Sequence, residues 1–403
     1  MQRDFALVLN AGSSSLKFCV YEQSGYEPWE LTAKGAIEGI GTSARLRAWT
    51  AERKTLVNET AAGLVRDCRD ALDVLACWLN SHYRGAHIVG VGHRVVHGGQ
   101  GFVSPTIITP GVLRELHLLE SLAPLHQPYN LAAIEAVAER LPDVRQVACF
   151  DTSFHRTQSA VASLIPLPRD ICGVGIQRYG FHGLSYEYVA SVLPRIAPPL
   201  AQGKVIVAHL GSGSSLCAMK NGQSVDNTLG FTALDGLCMG TRPGSLDPGV
   251  VLFLFQTLHF DAKQVERILY RESGLMGISG FTSDMRELLA SRKDSARLAV
   301  DYFVYRAARE VGALSATLGG IDGLVFTAGI GENSAEIRRR ICEASAWLGI
   351  AVDTAANERS EPRISTSTSR VGVWVIPTDE ELMIARHTAS LLGLYRGQYG
   401  RAS

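Results

Sequence analysis

The sequence predicts an α/β protein of two similar domains, and three observations carry that expectation. Apolar strand-like runs alternate with amphipathic helical stretches along the chain. At 403 residues the chain is too long for one ordinary core. A Gly/Ser-rich turn between two strand-like runs stands near the start, in "LVLNAGSSSLKFCVYE", residues 7–22. It returns close to half a chain later in "KVIVAHLGSGSSLCAMK", residues 204–220. One shift matches Gly12 with Gly211, Ser13 with Ser212 and Ser15 with Ser214. A shift one residue longer matches Ser14, Ser15 and Leu16 with Ser214, Ser215 and Leu216. Two such domains would face each other across a cleft, each contributing one hairpin turn.

The elements follow in order. "FALVLN" and "LKFCVYE" are strands joined by the first turn. "ETAAGLVRDCRDALDVLACWLN", residues 59–80, has the i, i+3, i+4 apolar spacing of a long helix. "HIVGVGHRVV" is a buried strand. "NLAAIEAVAERL" is a helix with Asn130 at its N-cap, and "VRQVACFD" is a strand ending in Asp151. In the second half, strand, Gly/Ser turn and strand lead to the Asn-Gly turn at 221–222 and a third strand. "GLVFTAGIGENSAEIRRRICEAS", residues 323–345, is a strand running into Gly329–Gly331. A helix then starts near Asn333, with Glu336 placed as in a capping box. "SEPRISTSTS", residues 360–369, is an exposed loop. The tail is a strand, a Pro-Thr-Asp break and a helix.

Composition narrows the function classes. Apolar residues make up 46% and charged residues 19%, as in a globular protein with ample core. Lys+Arg and Asp+Glu are 39 each, so the charge balance points away from nucleic acid and anionic membranes as partners. No apolar run is long enough to span a bilayer. The N-terminus passes straight into a strand pattern without a signal peptide's cleavage site, and the expected compartment is the cytoplasm. Eight cysteines occur without a CxxC, mostly in apolar runs, and read as buried free thiols.

Three glycine-rich turns end strands, at 10–15, 211–215 and 329–333. Glycine permits close backbone approach, and successive N–H groups with Ser hydroxyls can cradle phosphate oxygens. Lys17, just inside the second strand, is a solvated strand lysine or a point charge on such a phosphate. Arg94, in "GHRVVHGG", lies on a very apolar strand, where an arginine needs a structural ion pair or a bound anion. Arg242 sits in the Gly/Pro loop "MGTRPGSLDPG". Two arginines from different halves could clamp one small anion. Asp151 ends a strand, where acids of α/β sheets face the ligand crevice. His182, in "RYGFHGLS", is a structural histidine or a donor to developing charge. Glu380 starts the last helix, where acids commonly complement the dipole. A Mg²⁺ ion needs only one or two carboxylates when phosphates supply the rest.

Together "NAGSSSLKF", "GHRVVHGG", "APLHQP", "FDTSFH", "RYGFHGLS", "HLGSGSS", "MGTRPGSLDPG", "GIGENS" and "PTDEELMIA" resemble the acetate kinase family, in order from residue 7 to about 390. The resemblance implies the duplicated actin-like (ribonuclease H-like) α/β fold, a two-domain ATPase with a central cleft. It implies an N-terminal domain over 1–150 with a returning C-terminal helix, 382–403, and a second domain over 151–381 that binds nucleotide and dimerises. The implied reaction is reversible, in-line phosphoryl transfer from ATP to acetate with Mg²⁺, Mn²⁺ being the alternative ion. Implied in turn are Asn10 and Glu380 near the metal, and Asp151, Arg94, His182 and Arg242 as catalytic residues. Lys17, His209, Leu210, Gly211, Ser212, Gly213, Asp284, Met285, Arg286, Gly329, Ile330, Gly331, Glu332 and Asn333 would contact nucleotide. Arg94 with Val96, Leu125 and Phe181 would receive the acid, and a homodimer is implied.

Two departures stand out. Ser212 replaces the family's usual Asn in "HLGNGSS". Ala233 replaces a usual Pro at a position bordering the acyl pocket, which leaves a propionate or butyrate kinase as the alternative. A non-catalytic ATP-dependent switch has no use for the second arginine, and a sugar kinase would need a base for a neutral hydroxyl.

Overall fold

The computed structural model describes residues 3–23, 29–61 and 63–394. The chain forms two compact units, Met1–Ser153 with Asp379–Ser403, and Phe154–Thr378.

The first unit is built on an eight-stranded sheet. Its strands are β1 (Arg3–Ala11), β2 (Ser15–Glu22), β3 (Glu30–Glu38), β4 (Arg45–Trp49), β5 (Thr55–Thr60), β6 (Ala86–Val95), β7 (Thr106–Ile107) and β8 (Gln146–Phe150). The order is β5-β4-β3-β2-β1-β6-β8-β7. β1, β2 and β3 pair antiparallel, while β1, β6 and β8 run parallel. Helices Cys68–His82 and Gln127–Arg140 bury Leu72, Leu75, Trp78, Ala133 and Val137 against Leu7, Leu9, Leu16 and Phe18. Helix Glu380–Leu391 packs on β1, β6 and β8. Glycines on β6 make room for it. A Cβ on Gly92 would lie 2.3 Å from Thr388 Oγ1 and 2.6 Å from Ile384 Cγ2, and one on Gly90 would lie 2.6 Å from Leu392. The "VGVGH" pattern therefore encodes close approach of that helix.

The second unit holds β9 (Lys204–Leu210), β10 (Ser214–Lys220), β11 (Gln223–Asn227), β12 (Gly323–Thr327) and β13 (Gly372–Val375), in the order β11-β10-β9-β12-β13. Again three strands pair antiparallel and β9, β12 and β13 run parallel. This is the β3-β2-β1-β6-β8 arrangement of the first unit repeated. The 25-residue helix Asp294–Leu318 and helix Ala335–Ala344 cover one face. Helix Gly183–Ile196 covers the other, over Val205, Val207 and Cys217. Asn221 and Gly222 both take positive φ, as the tight turn between β10 and β11 requires.

The repeat aligns differently from the sequence match after the turn. Ala11 pairs with Leu16 in the first hairpin, whereas Leu210 pairs with Ser214 in the second. The second turn is one residue shorter, so the match of Leu16 with Leu216 is not a structural equivalence. Helix boundaries also move. The helix expected from residue 59 starts at Cys68, because residues to Thr60 pair with β4 and Asp67 caps the backbone N–H groups of Arg69 and Asp70. Asn130 is no cap: the helix begins a turn earlier, at Gln127 with Pro128 behind it. The cap expected at Asn333 is Ser334, which accepts from Ile337 N, and Glu336 pairs with Arg339 instead. Asn333 ends the preceding helical turn and donates to Gly329 O at 2.9 Å. The 360–369 loop is anchored by the fully buried Ile364. The last helix stops at Leu391, and residues beyond 394 lie outside those described. None of the eight cysteines forms a disulfide among the described residues, and five are buried.

Three histidines are locked inside as neutral rings. His93 bonds Gln146 Oε1 at 2.7 Å, and His155 bonds Phe181 O at 2.9 Å. Burial lowers His93, His97 and His155 to about 4. The unfolded chain binds these protons near pH 6.5 and the folded chain does not, so stability falls as pH drops from 6.5 towards 4. The expected loss is on the order of 1 kcal/mol per histidine per pH unit. His117, raised by Glu120 and Glu135, acts in the opposite sense but is exposed and screened. Thermal melts from pH 7 to 4.5 should show a falling Tm, and His93→Gln should flatten part of that slope.

Candidate functional site

In the first unit the sheet gathers polar residues where β1, β6 and β8 end. Asn10 is near the end of β1 and pairs across the ladder with Lys17, which is exposed. Arg94 is the penultimate residue of β6, and Asp151 follows β8. Arg94 is the centre of the group. Its Nε donates to Asp151 Oδ1 at 3.1 Å and its Nη2 to Oδ2 at 2.5 Å. Its Nη1 reaches Asn10 Oδ1 at 3.4 Å, and Glu380 Oε2 lies 3.9 Å from Nε. The arginine is therefore in a bidentate ion pair, the first of the two readings the apolar strand allows. Burial alone would lower the Arg94 guanidinium, but Asp151 and Glu380 raise it. Burial pushes Glu380 up to about 7, with Arg94 opposing and Asp151 and Glu381 adding. Glu380 is held in place from both sides in sequence, since Asp379 caps the helix on Leu382 N and Glu381 pairs with Lys34 at 3.1 Å. Val96 is buried directly after β6, and Leu125 is half-buried.

In the second unit the short turn of β9 and β10 is flanked by two cationic or polar side chains. A Cβ on Gly213 would lie 2.8 Å from Arg242 Nη2 and 3.2 Å from His182 Nε2. Arg242 donates to Ala233 O at 2.7 Å, and no carboxylate pairs with it among the described residues. Burial lowers its guanidinium from the usual value. A guanidinium so placed favours a bound anion. His182 sits at a positive φ of 57°, at the N-terminus of helix Gly183–Ile196. Its ring stacks on His209 at 4.1 Å, and His209 Nδ1 meets Ser185 Oγ at 2.8 Å. Phe181 is buried, and its carbonyl accepts from His155.

A cavity of about 480 Å³ draws together Gly211, Ser212, Asp284, Met285, Arg286, Gly329, Ile330 and Asn333. Three of the expected nucleotide loops thus share one space. Asp284 caps helix Met285–Ala290, and its bonds with Arg286 hold its carboxyl down to about 2. His209, Leu210, Gly213, Gly331 and Glu332 do not line this cavity. Leu210 is part of the core, and Glu332 Oε1 is taken up by Ala328 N and Thr378 N at 2.8 and 3.1 Å.

Both sheets set a glycine hairpin beside the ends of parallel strands, the arrangement of a two-unit α/β protein. The family model described as the acetokinase family matches residues 5–386. An acetate kinase of Nitrobacter hamburgensis is 52% identical over 390 residues, covering 96% of each chain. An acetate kinase of Rhizobium meliloti is 50% identical, covering 96% of this chain and 98% of the relative. Among solved structures, the Porphyromonas gingivalis acetate kinase is 37% identical with a TM-score of 0.87, over 96% of this chain and 100% of that one. A propionate kinase from Francisella tularensis is 35% identical with a TM-score of 0.88, over 96% and 99%. The chain belongs to the acetokinase family.

The roles of two buried polar residues escape the sequence reading. Asn130 donates from Nδ2 to Ala11 O at 2.8 Å and accepts from Val96 N at 3.1 Å, tying the end of β1 to the end of β6. Arg338 is fully buried, and no carboxylate pairs with it among the described residues. It donates to the carbonyls of Gly331 and Glu332 at 2.9 and 2.8 Å, to Asn357 Oδ1 and O at 2.8 and 2.7 Å, and to Ser360 Oγ at 2.9 Å. Its i, i+4 spacing to the buried Cys342 was a readable signal. Arg338→Met leaves several buried acceptors without donors and should cost about 3 kcal/mol or more. Urea unfolding of the variant against the parent chain measures it.

Proposed function

We propose that this chain transfers the terminal phosphoryl group of ATP to acetate, reversibly, with a divalent cation. One observation carries the reading from the geometry. The guanidinium of Arg242, with no carboxylate pairing it among the described residues, and the Nε2 edge of His182 meet the same glycine turn at Gly213. The full-length relatives named acetate kinase agree with it.

The chemistry asks little covalent help of the protein. A short carboxylic acid titrates near a Glu side chain, at roughly 4–5, so at neutral pH acetate is already a nucleophile without a general base. The difficulty is bringing an anion to a polyanion. Arg94, Arg242, Lys17 and His182 supply the positive field. Asp151 acts as the orienting partner of Arg94, as its bidentate bonds favour, rather than as a base.

Asn10 and Glu380 are the residues that would hold the cation. Their oxygens contact the same guanidinium, and no group of three His, Cys, Asp or Glu forms a metal cage among the described residues. Two protein oxygens fit Mg²⁺, which takes its remaining ligands from phosphates and water. When bound, the ion neutralises phosphate charge and orients the transferred group.

We infer a homodimer through the second unit. Helix Pro248–Gln256 is apolar yet buries no residue, with Leu252 and Phe253 about half exposed. No helix among the described residues is long and apolar enough to cross a membrane. The free buried thiols are compatible with a reducing compartment, and the cytoplasm is the one we propose.

A propionate kinase is the second reading, favoured by the smaller Ala233 and by the name of one structural relative. Comparing kcat/KM for C2 to C4 acids with ATP and Mg²⁺ decides between them. Acetate should exceed propionate by about tenfold or more, since one methylene is worth that much in a fitted pocket. Propionate equal to acetate or better would move the chain to the second reading. Arg94→Ala and Arg242→Ala should each lower kcat by about two to four decades, with Lys at either position failing to restore it. Near-normal turnover in Arg242→Ala, assayed by trapping acyl phosphate with hydroxylamine, would refute this role.

A further inference from the structure

Behind His182 lies a short chain of hydroxyls that the phosphoryl-transfer reading leaves unused. Tyr186 Oη lies 2.5 Å from Ser215 Oγ, which lies 2.8 Å from His182 Nδ1. Tyr186 and Ser215 are both fully buried. Tyr186 is on the first turn of the helix that His182 opens, and Ser215 is on β10, so two rigid elements hold the three groups.

We propose that Tyr186 and Ser215 are positioning residues that fix the tautomer of His182, with the proton on Nε2 facing the glycine turn. The direction of the chain follows from acidity. A phenol is a stronger acid than an aliphatic alcohol, and an imidazole nitrogen is the best base of the three. The favoured order is therefore Tyr186 donating to Ser215, and Ser215 donating to Nδ1. Bonds aligned this way reinforce one another. Nδ1 is then an acceptor, and the neutral ring must carry its proton on Nε2. That nitrogen is the one a Cβ on Gly213 would meet at 3.2 Å, with Arg242 Nη2 beside the same turn. A ring in this form offers a donor to a developing negative charge without having to become cationic first. The opposite tautomer would present a lone pair to the same charge and repel it. Stacking on His209 fixes the plane of the ring, and the hydroxyl chain fixes which edge donates.

The inference rests on the reading of His182 as a donor, but its first test does not depend on acetate. The full chain with ¹⁵N-labelled histidine, without ligand, is examined by long-range ¹H–¹⁵N correlation, and His182→Gln identifies the signals. The Nε2–H form should dominate by about tenfold or more in the parent chain. In Tyr186→Phe, which removes one oxygen, the ratio should fall towards even, and Ser215→Ala should do the same. Turnover in Tyr186→Phe should drop about tenfold, with KM for ATP and acetate within about twofold. An Nδ1–H form in the parent chain overturns the proposal. So does a ratio unmoved in Tyr186→Phe, whatever its kcat. Because the tautomer is read without substrate, failure of acetate as acceptor would overturn the assigned reaction and leave this result standing.

Discussion

In each sheet the parallel strands end along one edge, beside a tight glycine hairpin, and this constraint decides where charge can be held. The strands themselves are nearly all apolar. Only at or just past their last residues does the chain turn polar, at Asn10, Arg94 and Asp151 in one unit and at Ser212 and Thr327 in the other. Residues distant in sequence, such as Asn10, Arg94 and Asp151, become neighbours because neighbouring strands stop at the same level. The twofold recurrence of this edge is what a duplicated architecture delivers at little cost in new sequence.

The two arginines show how differently one residue type can be used. Arg94 is anchored by a carboxylate that satisfies two of its donors, so its orientation is set before any ligand arrives. Arg242 donates to the Ala233 carbonyl, and no carboxylate pairs with it among the described residues. The first is expensive to move and the second is primed to be neutralised. A buried guanidinium without a carboxylate need not mean a binding site, however. Arg338 is enclosed entirely by carbonyls and a hydroxyl and works as a brace for the Gly329–Asn333 segment.

Much of this was legible in the sequence. The strands are readable because apolar runs bounded by glycine turns leave little choice, and the repeat of Gly12 and Gly211 announces the doubled sheet. The glycine turns at 211 and 329 can be nominated from pattern and the segment at 284 only through the family resemblance; their sharing of one cavity depends on where helix Met285–Ala290 packs, which local pattern does not encode. Asn130 looks like a cap because an Asn precedes an apolar helical run. Its true role needs the knowledge that Gln127 already starts the helix and that Ala11 and Val96 lie within reach. Arg338 is hidden among three consecutive arginines, of which Arg339 and Arg340 make the ordinary surface ion pairs. Periodicity marks position 338 as inward, yet no local signal supplies its acceptors.

The bare backbone of Gly90 and Gly92 on β6 has a consequence for how the molecule is made. Its covering helix, Glu380–Leu391, is synthesised long after Ala86–Val95, the strand it covers. The first unit thus waits with one face of its sheet unsealed, while Phe154–Thr378 is continuous and can close as soon as it is translated. Removing helix Glu380–Leu391 would therefore uncover strands made far earlier in synthesis.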